Sequence, residues 1–402
     1  MKKILDNPLS SIKKSGVSTL IKQSIFLSLA FGILLASTIA SYATVHTVSN
    51  NSNSPGQFTN LQTAIDAAAV DDTIYVHASN QSYGNITLKK RLVLIGAGYN
   101  IPNSSLKSQL GNVTVDSSNT HVYNGGKIIG FLIQSPTSST ALSGTPNINS
   151  GVGSYIVERC HIIGGNSCIN VPGSNWVIRN CILQGNASLF RYQNGTPQPS
   201  HNVILANNIF LYGGVEGTSA PSLPVNGTIV TNNFFAIANG YYLAIQKLAN
   251  AVITNNIFQF EATANTTAVY FSNGVSSCTF NNNLTYGATT PGGTQQLPPS
   301  GNNNTGTGNF NNINPNHVSL PANATLFYQA QPFTYDFTLN TGSVAINAGT
   351  DTTNIGPTGG AYPMSVFNGL SRIPWMQQLT ILNPVINAGQ PLNIQFKASK
   401  HD

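Results

Sequence analysis

Acidic side chains are scarce in the middle of this 402-residue chain, which limits the acid–base chemistry available there. Glycoside hydrolysis needs two carboxyl groups beside one bond, one as acid and one as base or nucleophile. A calcium-assisted reaction needs several oxygen ligands, mostly from Asp or Glu. Residues 155–284 contain Glu158, Glu216 and Glu261 and no aspartate. The sequence therefore predicts no catalytic carboxylate pair and no metal site.

Basic and aromatic side chains offer a second route, because a metal-free reaction on an acidic sugar needs a base such as Lys, Arg, His or Tyr. His161 and Lys247 are candidates, although His161 falls within an apolar run that favours a structural role. Loop side chains could also bind a sugar by charge and ring stacking. We predict two adjacent pairs as ligand-binding residues: Arg191 and Tyr192, and Tyr241 and Tyr242. The alternative is that these rings cover the edge of the fold.

The four cysteines, Cys160, Cys168, Cys181 and Cys278, do not have the spacing of a zinc site. Cys160 and Cys181 occupy equivalent positions in the repeat described next, where a Cα–Cα distance of about 5 Å would permit a disulfide bond. A stack of two buried thiols is the alternative. No Gly-rich loop opens a helix, so the sequence contains no phosphate-binding motif and predicts no cofactor.

A recurring phrase must position these residues. Each copy is an apolar, β-branched run, then a polar pair, then an apolar pair, as in residues 203–210 (VILANNIF). Aligned on the second polar position, the copies fall at 160, 181, 208, 233, 256 and 282, with steps of 21, 27, 25, 23 and 26 residues. Three consecutive asparagines, 281–283, leave the last position open between two registers.

This repeat predicts a coil of short strands. A period of about 20–30 residues is typical of a solenoid, and short β-branched runs between Gly, Asn and Ser clusters predict strands. In a parallel β-helix, equivalent positions of successive coils stack about 4.8 Å apart. Asparagine suits the tight bend because it tolerates left-handed backbone, and stacked amides can satisfy one another. The alternative is a row of asparagines that binds a ligand. Glu158 and Arg179 share a column, which predicts an exposed cross-coil ion pair.

The phrase pattern over residues 58–362 resembles the right-handed parallel β-helix repeats of the pectin-lyase-like superfamily. The resemblance implies an all-β, right-handed parallel β-helix solenoid. It does not fix an activity, because that fold hosts lyases, hydrolases, adhesins and proteins without a catalytic site. The acid clusters of the polysaccharide-cleaving members have no counterpart here that the sequence identifies. We therefore expect binding or display without catalysis, and leave enzymatic activity open.

The N-terminal part predicts an export signal followed by a cap. In residues 1–43, basic residues precede the apolar run 25–36, and Ser41-Tyr42-Ala43 fits a small-x-small cleavage site. An uncleaved anchor is the alternative, although the run is short for a membrane span. Residues 58–70 predict a helix, capped by Thr59 or Asn60, that covers the open end of the solenoid. Asp71 and Asp72 fit turn or capping roles better than an acid or metal pair.

The C-terminal part predicts the end of the β-helix, which spans 44–362. Segment 333–362 resembles the closing segment of secreted bacterial β-helix proteins. Residues 363–402 are too few for an independent sandwich. We predict two strands there, at 379–381 and 392–396, as a short C-terminal β tail.

Charge and location limit the partners. The net charge is +6, but five lysines and Asp6 lie before residue 23, and without them 12 basic and 10 acidic residues remain. This balance lacks the excess of basic residues that is typical of a nucleic-acid-binding surface. We expect a secreted or cell-surface protein that binds a polysaccharide or cell-surface glycan. The alternative is a polysaccharide lyase or glycoside hydrolase.

Overall fold

The computed structural model describes most of the chain after the predicted signal. The described residues are 43–101, 104–116, 125–135, 140–144, 153–171, 173–193, 196–211, 213–218, 225–237, 244–260, 274–287, 296–320, 335–364, 375–382 and 389–399. The chain divides into two compact units, Met1–Ala43 and Thr44–Asp402. The predicted signal, apart from Ala43, lies outside the described residues, so it stays a prediction.

Ten parallel strands form one sheet, which we call the first wall. Neighbouring strands pair in register from coil to coil; for example, Val230 pairs with Leu205 on one side and with Ile253 on the other. The strands, in spatial order, are Val45–Val48, Thr73–Val76, Val93–Gly96, Gly126–Ile129, Tyr155–Glu158, Val177–Arg179, Ile204–Ala206, Ile229–Thr231, Val252–Thr254 and Thr279–Asn281.

Thirteen further strands form a second sheet with two rows. The row that follows the polar pair, the second wall, contains Gln109–Leu110, Leu132–Gln134, His161–Asn170, Ile182–Ser188, Ile209–Leu211, Phe234–Ile237, Ile257–Phe260 and Leu284–Tyr286. The third wall contains Ile86–Leu88, Val113–Val115, Leu142–Gly144, Val215–Glu216 and Ile245–Gln246, together with the ends of the two long strands His161–Asn170 and Ile182–Ser188. The predicted all-β parallel β-helix is therefore confirmed.

The inside of the coil is filled with stacked apolar side chains. Phe235 lies between Phe210 and Phe258, with ring centroids 4.5 and 4.8 Å apart, and Tyr155 stacks on Trp176 at 4.9 Å. All five rings are buried. Because the strands are in register, each inward side chain meets its counterpart in the next coil, which gives the column contacts of close packing.

Buried asparagines form a ladder at the bend between the first and second walls. Asn208, Asn233, Asn256 and Asn283 each donate Nδ2 to Oδ1 of the next amide, at 3.0–3.1 Å, and Asn309 ends the series. Each Oδ1 also accepts the backbone N–H of the preceding rung, at 2.9–3.0 Å. The prediction of an internal ladder is confirmed. The sixth copy aligns on Asn283, so the choice of 282 was wrong.

The first residue of each polar pair makes the bend itself. In this column φ is 51–59°, a left-handed conformation that asparagine tolerates; its members are Arg159, Asn180, Asn207, Asn232, Asn255 and Asn282. A second column, which the sequence analysis missed, bends the chain before the first-wall strands from Tyr155–Glu158 to Thr279–Asn281 and before the bridge residue Thr305. It contains Ser154, Asn175, Asn202, Gly227, Asn250, Ser277 and Asn302.

The predicted helix is present but shorter, at Leu61–Ala67, with Asn60 as its N-cap. It ends early because Ala68 has extended backbone, with ψ at 145°. Leu61, Ala64 and Ile65 are buried in the main core, so the helix packs on the solenoid interior as expected of a cap. No described helix has the length and apolar character needed to cross a membrane.

The last solenoid contacts are bridges to Thr305 and Phe310, and the chain then turns back. Residues 335–364 lie on the outer face of the second wall, where Phe337, Ala345 and Ile355 join a second apolar cluster with Ile209 and Phe234. Residues 335–362 are therefore not a further coil. Residues 348–362, which we call the strap, run along the solenoid towards earlier coils.

Outer asparagines hold the strap. The side-chain amide of Asn282 donates to Ala348 O at 2.8 Å, that of Asn207 to Pro357 O and Gly359 O at 2.9 and 2.6 Å, and that of Asn180 to Tyr362 O at 2.8 Å. Between them, Asn232 donates to Asn354 O, and Asn255 exchanges hydrogen bonds with Thr350. One column of amides thus both bends the coil and anchors the strap.

Three antiparallel strand pairs complete the described structure. Phe190–Gln193 pairs with Thr196–Pro199, His317–Ser319 with Asp336–Leu339, and Trp375–Ile381 with Ile394–Ser399. The last pair is the predicted C-terminal β tail. The boundaries of the predicted domains, at 43 and 362, stay predictions.

Replacing a ladder residue should destabilise the fold strongly. In Asn233→Ala, the N–H of Asn208 and the carbonyl of Leu205 lose their buried partner. We expect the free energy of unfolding to fall by on the order of 3 kcal/mol, since each such group costs about 1–3 kcal/mol. Urea denaturation measures this. The exposed Asn314→Ala is the control, with a change within about 0.5 kcal/mol. Equal effects of the two variants would contradict the ladder.

Asn207→Gly should loosen the strap without straining the bend. Glycine adopts the positive φ of this corner freely, so the variant removes the amide and keeps the backbone. We expect amide exchange in residues 353–364 to quicken by about tenfold, because two hydrogen bonds are lost. Asn202→Gly, at the equivalent φ of the other corner, should leave this exchange unchanged. Hydrogen-exchange mass spectrometry compares them.

Candidate functional site

Polar side chains line up on the outside of the third wall. Asn170, Ser188, Glu216 and Gln246 are consecutive register partners, and their neighbours on the strand are core residues. Because side chains alternate along a strand, these four face away from the core. With Lys247 they form what we call the third-wall patch.

The patch combines one ion pair with neutral hydrogen-bonding groups. Lys247 Nζ lies 2.8 Å from Glu216 Oε1, and the two side chains are 26 and 17% exposed. Ser188 Oγ shares a 2.8 Å hydrogen bond with Ser167 Oγ. Asn170 Oδ1 is buried and accepts no hydrogen bond from the described residues. Ser188 is fully buried, so the residues open to a polar ligand are the partly exposed Asn170, Glu216, Gln246 and Lys247, and the two charges among them offset each other.

Glu216 lies in a strand and not in a loop, although the glycines around it in the sequence favour a loop. It ends the short strand Val215–Glu216, and its carbonyl accepts the N–H of Leu189 at 2.7 Å. These glycines are required because a Cβ at Gly213 would collide with the backbone of the preceding coil, and one at Gly217 with the backbone of the next. Its partner, Lys247, was found from the sequence as a candidate base, but their pairing was not.

A hairpin leaves the third wall directly after the patch. Arg191 and Tyr192 belong to its first strand, Phe190–Gln193, and not to an irregular loop as predicted. The hairpin is tied to the wall by Ser200 N, which donates to Leu189 O at 2.9 Å. Only the backbone of Arg191 and Tyr192 is described, and Tyr241, Tyr242 and Glu261 lie outside the described residues. Ligand binding by these tyrosines and Arg191 stays a prediction.

His161 is a buried part of the second wall, next to the ring of Tyr99, whose centroid is 5.6 Å away. Burial lowers its pKa to about 4, against which a hydrogen bond with Gln184 acts. The imidazole is therefore neutral at pH 7, and it is both weakly basic and shielded from a ligand. This supports the structural role over the role of a base.

The predicted pair of Glu158 and Arg179 exists, but it is more enclosed than expected. Arg179 donates to Glu158 Oε2 at 2.7 Å, and the Glu158 side chain is only 7% exposed. Arg159 lies 3.5 Å from the other carboxylate oxygen. The Arg179 guanidinium also covers the ring of Tyr362 at 4.2 Å, at the end of the strap. This cluster therefore anchors the strap.

Three aspartates outside these clusters have local roles. Asp71 pairs with Arg91, which lowers the pKa of Asp71 chiefly through the hydrogen bond between them. Asp336 and Asp351 accept the N–H two residues ahead, as turn residues do. Among the residues described, no three His, Cys, Asp or Glu side chains group as metal ligands.

All four cysteines are free and buried. Cys181 lies in the same column as the asparagine ladder, where its N–H donates to Asn208 Oδ1 at 3.0 Å. Burial raises the pKa of Cys168 to about 12 and that of Cys181 well above its usual value. The alternative of two stacked thiols, rather than a disulfide, is what the structure contains.

Comparison with known proteins adds little about activity. No protein-family model matches the chain, and no curated protein does. Among solved structures, a mutant of an alginate lyase of the PL6 family is similar, with a TM-score of 0.27 and 14% identity over 61% of this chain. The match covers 52% of the lyase, so this chain spans about half of that protein's length. A likeness this loose carries no inference about reaction or ligand.

Two buried histidines should make the fold sensitive to mild acid. Burial lowers the pKa of both His161 and His317 to about 4, from an ordinary 6.5. Between these pH values the unfolded chain binds more protons, so the free energy of unfolding falls as pH drops from 7 to 4. We expect His161→Gln and His317→Gln each to remove on the order of 1–2 kcal/mol of that fall. Urea midpoints at pH 7, 5.5 and 4 test this; unchanged pH dependence would contradict it.

Proposed function

We propose that this chain is an exported β-helix that binds or displays a glycan or another cell-surface component without hydrolytic catalysis. The observation that carries the proposal is the composition of the third-wall patch. The partly exposed amides of Asn170 and Gln246 match the donors and acceptors of sugar hydroxyls, whereas the single carboxylate of the patch is held by Lys247. One carboxylate without a second does not meet the requirement of glycoside hydrolysis.

The position of the patch also favours binding. Equivalent side chains of neighbouring coils recur about every 4.8 Å, so a patch of several rungs presents repeated hydrogen-bonding groups along the axis. A polymer with repeated hydroxyls could contact more than one rung. The hairpin with Arg191 and Tyr192 starts beside the patch and would add contacts of the predicted kind.

A polysaccharide lyase is the second candidate, and Lys247 is the observation that favours it. A lysine beside a bound uronate could act as base in a metal-free elimination. In that role it would have to leave Glu216, because the 2.8 Å ion pair directs its amine to the carboxylate and not to a ligand. This cost makes binding the better-supported proposal.

Binding and cleavage separate in one experiment. The exported protein is incubated with neutral and uronate-containing polysaccharides, and retention in affinity electrophoresis is measured beside the release of reducing ends and unsaturated uronate. We expect retention by at least one glycan and no product. Product formation would overturn the non-catalytic proposal.

Gln246→Leu should weaken that retention by about tenfold, the equivalent of one or two hydrogen bonds. Thr254→Val is the matched control: it also removes a polar group, but on the first wall, where Thr254 donates to the hydroxyl of Thr231 at 3.2 Å. If both variants bind as the unchanged protein does, the third-wall patch is not the site.

A further inference from the structure

The nitrogen of Thr44 meets a buried carboxylate at the point where the predicted export signal ends. Thr44 N donates to Asp72 Oδ1 at 2.6 Å, and Asp72 is only 3% exposed. The carbonyl of the same residue accepts the N–H of Thr73 at 2.9 Å. Thr44 is therefore fixed on both sides, immediately before the first strand, Val45–Val48.

Asp72 is surrounded by donors and receives a fixed arrangement of hydrogen bonds. Its Oδ2 accepts from Ala69 N at 2.7 Å, at the end of the capping helix, and lies 3.1 Å from His46 Nε2. Burial acts to raise the pKa of this carboxyl, but the hydrogen bonds from Thr44, Ala69 and His46 outweigh it and lower the pKa. The group is thus a buried anion, for which a cationic partner is stabilising.

We propose that a leader peptidase cleaves between Ala43 and Thr44, and that the new Thr44 α-ammonium forms a buried ion pair with Asp72. This site rests on the export part of the proposed function and is independent of glycan binding. Water supplies the hydroxyl of the new Ala43 carboxyl group and a proton for the Thr44 amine, which binds a further proton from solvent. The α-amino pKa is ordinarily about 7.7–8.0, so the amine is cationic at pH 7.

A sequence feature and a contact indicate the same peptide bond. Ser41-Tyr42-Ala43 is a small-x-small site, and the nitrogen of the next residue, Thr44, lies against the Asp72 carboxylate. Cleavage there replaces a neutral backbone donor by an ammonium, so that both partners of the hydrogen bond to Asp72 are charged. Removal of the signal would therefore strengthen the contact that joins the first strand, the capping helix and Thr73.

The full-length chain is expressed with its signal in a secreting host, and mass spectrometry gives the N-terminus of the exported protein. We expect Thr44. The exported protein is then treated near pH 7 with 2-pyridinecarboxaldehyde, which reacts with free α-amines. An ion pair that raises the amine pKa by about one unit lowers the reactive fraction about tenfold. We expect Asp72→Asn to react about ten times faster than the unchanged protein.

Asp71→Asn is the matched control, because Asp71 is the adjacent acid but pairs with Arg91. Its labelling rate should equal that of the unchanged protein. Should Asp72→Asn not fold, labelling of the unchanged protein in buffer and in urea replaces it, and folded protein should react at least about tenfold more slowly. A different N-terminus, or rates that do not depend on Asp72 or on folding, would overturn this proposal and leave the glycan-binding experiment unaffected.

Discussion

The structure depends on one requirement: the buried asparagine amides along the solenoid axis must have hydrogen-bond partners. In the ladder from Asn208 to Asn309, each Oδ1 after the first accepts both a side-chain and a backbone N–H, and each Nδ2 before the last donates forward to the next amide. A buried amide without partners is costly, so the only arrangement that keeps the column buried is the one in which successive coils are in register. The spacing of the walls, the stacking of Phe210, Phe235 and Phe258, and the alignment of the third-wall patch all follow from that register.

The two residues of each asparagine pair serve different ends although their chemistry is the same. The second points inward, where its amide makes the hydrogen bonds that the backbone groups of the bend would otherwise make with water. The first takes positive φ, points outward and holds the strap by the carbonyls of residues such as Pro357 and Gly359. Where the pair becomes Arg159-Cys160 or Asn180-Cys181, the ladder ends in thiols. In the outer column, Asn180 still holds the strap through the carbonyl of Tyr362, whereas Arg159 lies beside the carboxylate of Glu158.

The coil could be predicted from the sequence because the residue pattern that specifies it recurs periodically and acts locally. The alternation around 203–210 and the tolerance of Asn for a left-handed bend predict both the strands and the internal ladder. The path of the strap was not predictable, since it is held through backbone carbonyls, which carry no sequence signal. The second corner was missed because Ser, Asn and Gly share it, so no single residue type marks every copy. The pairing of Glu216 with Lys247 was not predicted. It depends on which residues of two successive coils become register partners in the third wall, where the spacing of the sequence is irregular.

Contacts between neighbouring coils alone would make this a one-dimensional molecule, able to fray coil by coil from either end. The strap alters that, because residues about 150 positions apart in sequence, such as Asn207 and Pro357, are hydrogen-bonded. The strap is thereby hydrogen-bonded to several successive coils. One coil cannot separate from its neighbour unless the strap also separates from that coil. Such distant pairings raise the contact order and slow folding, but they also make the rungs melt together.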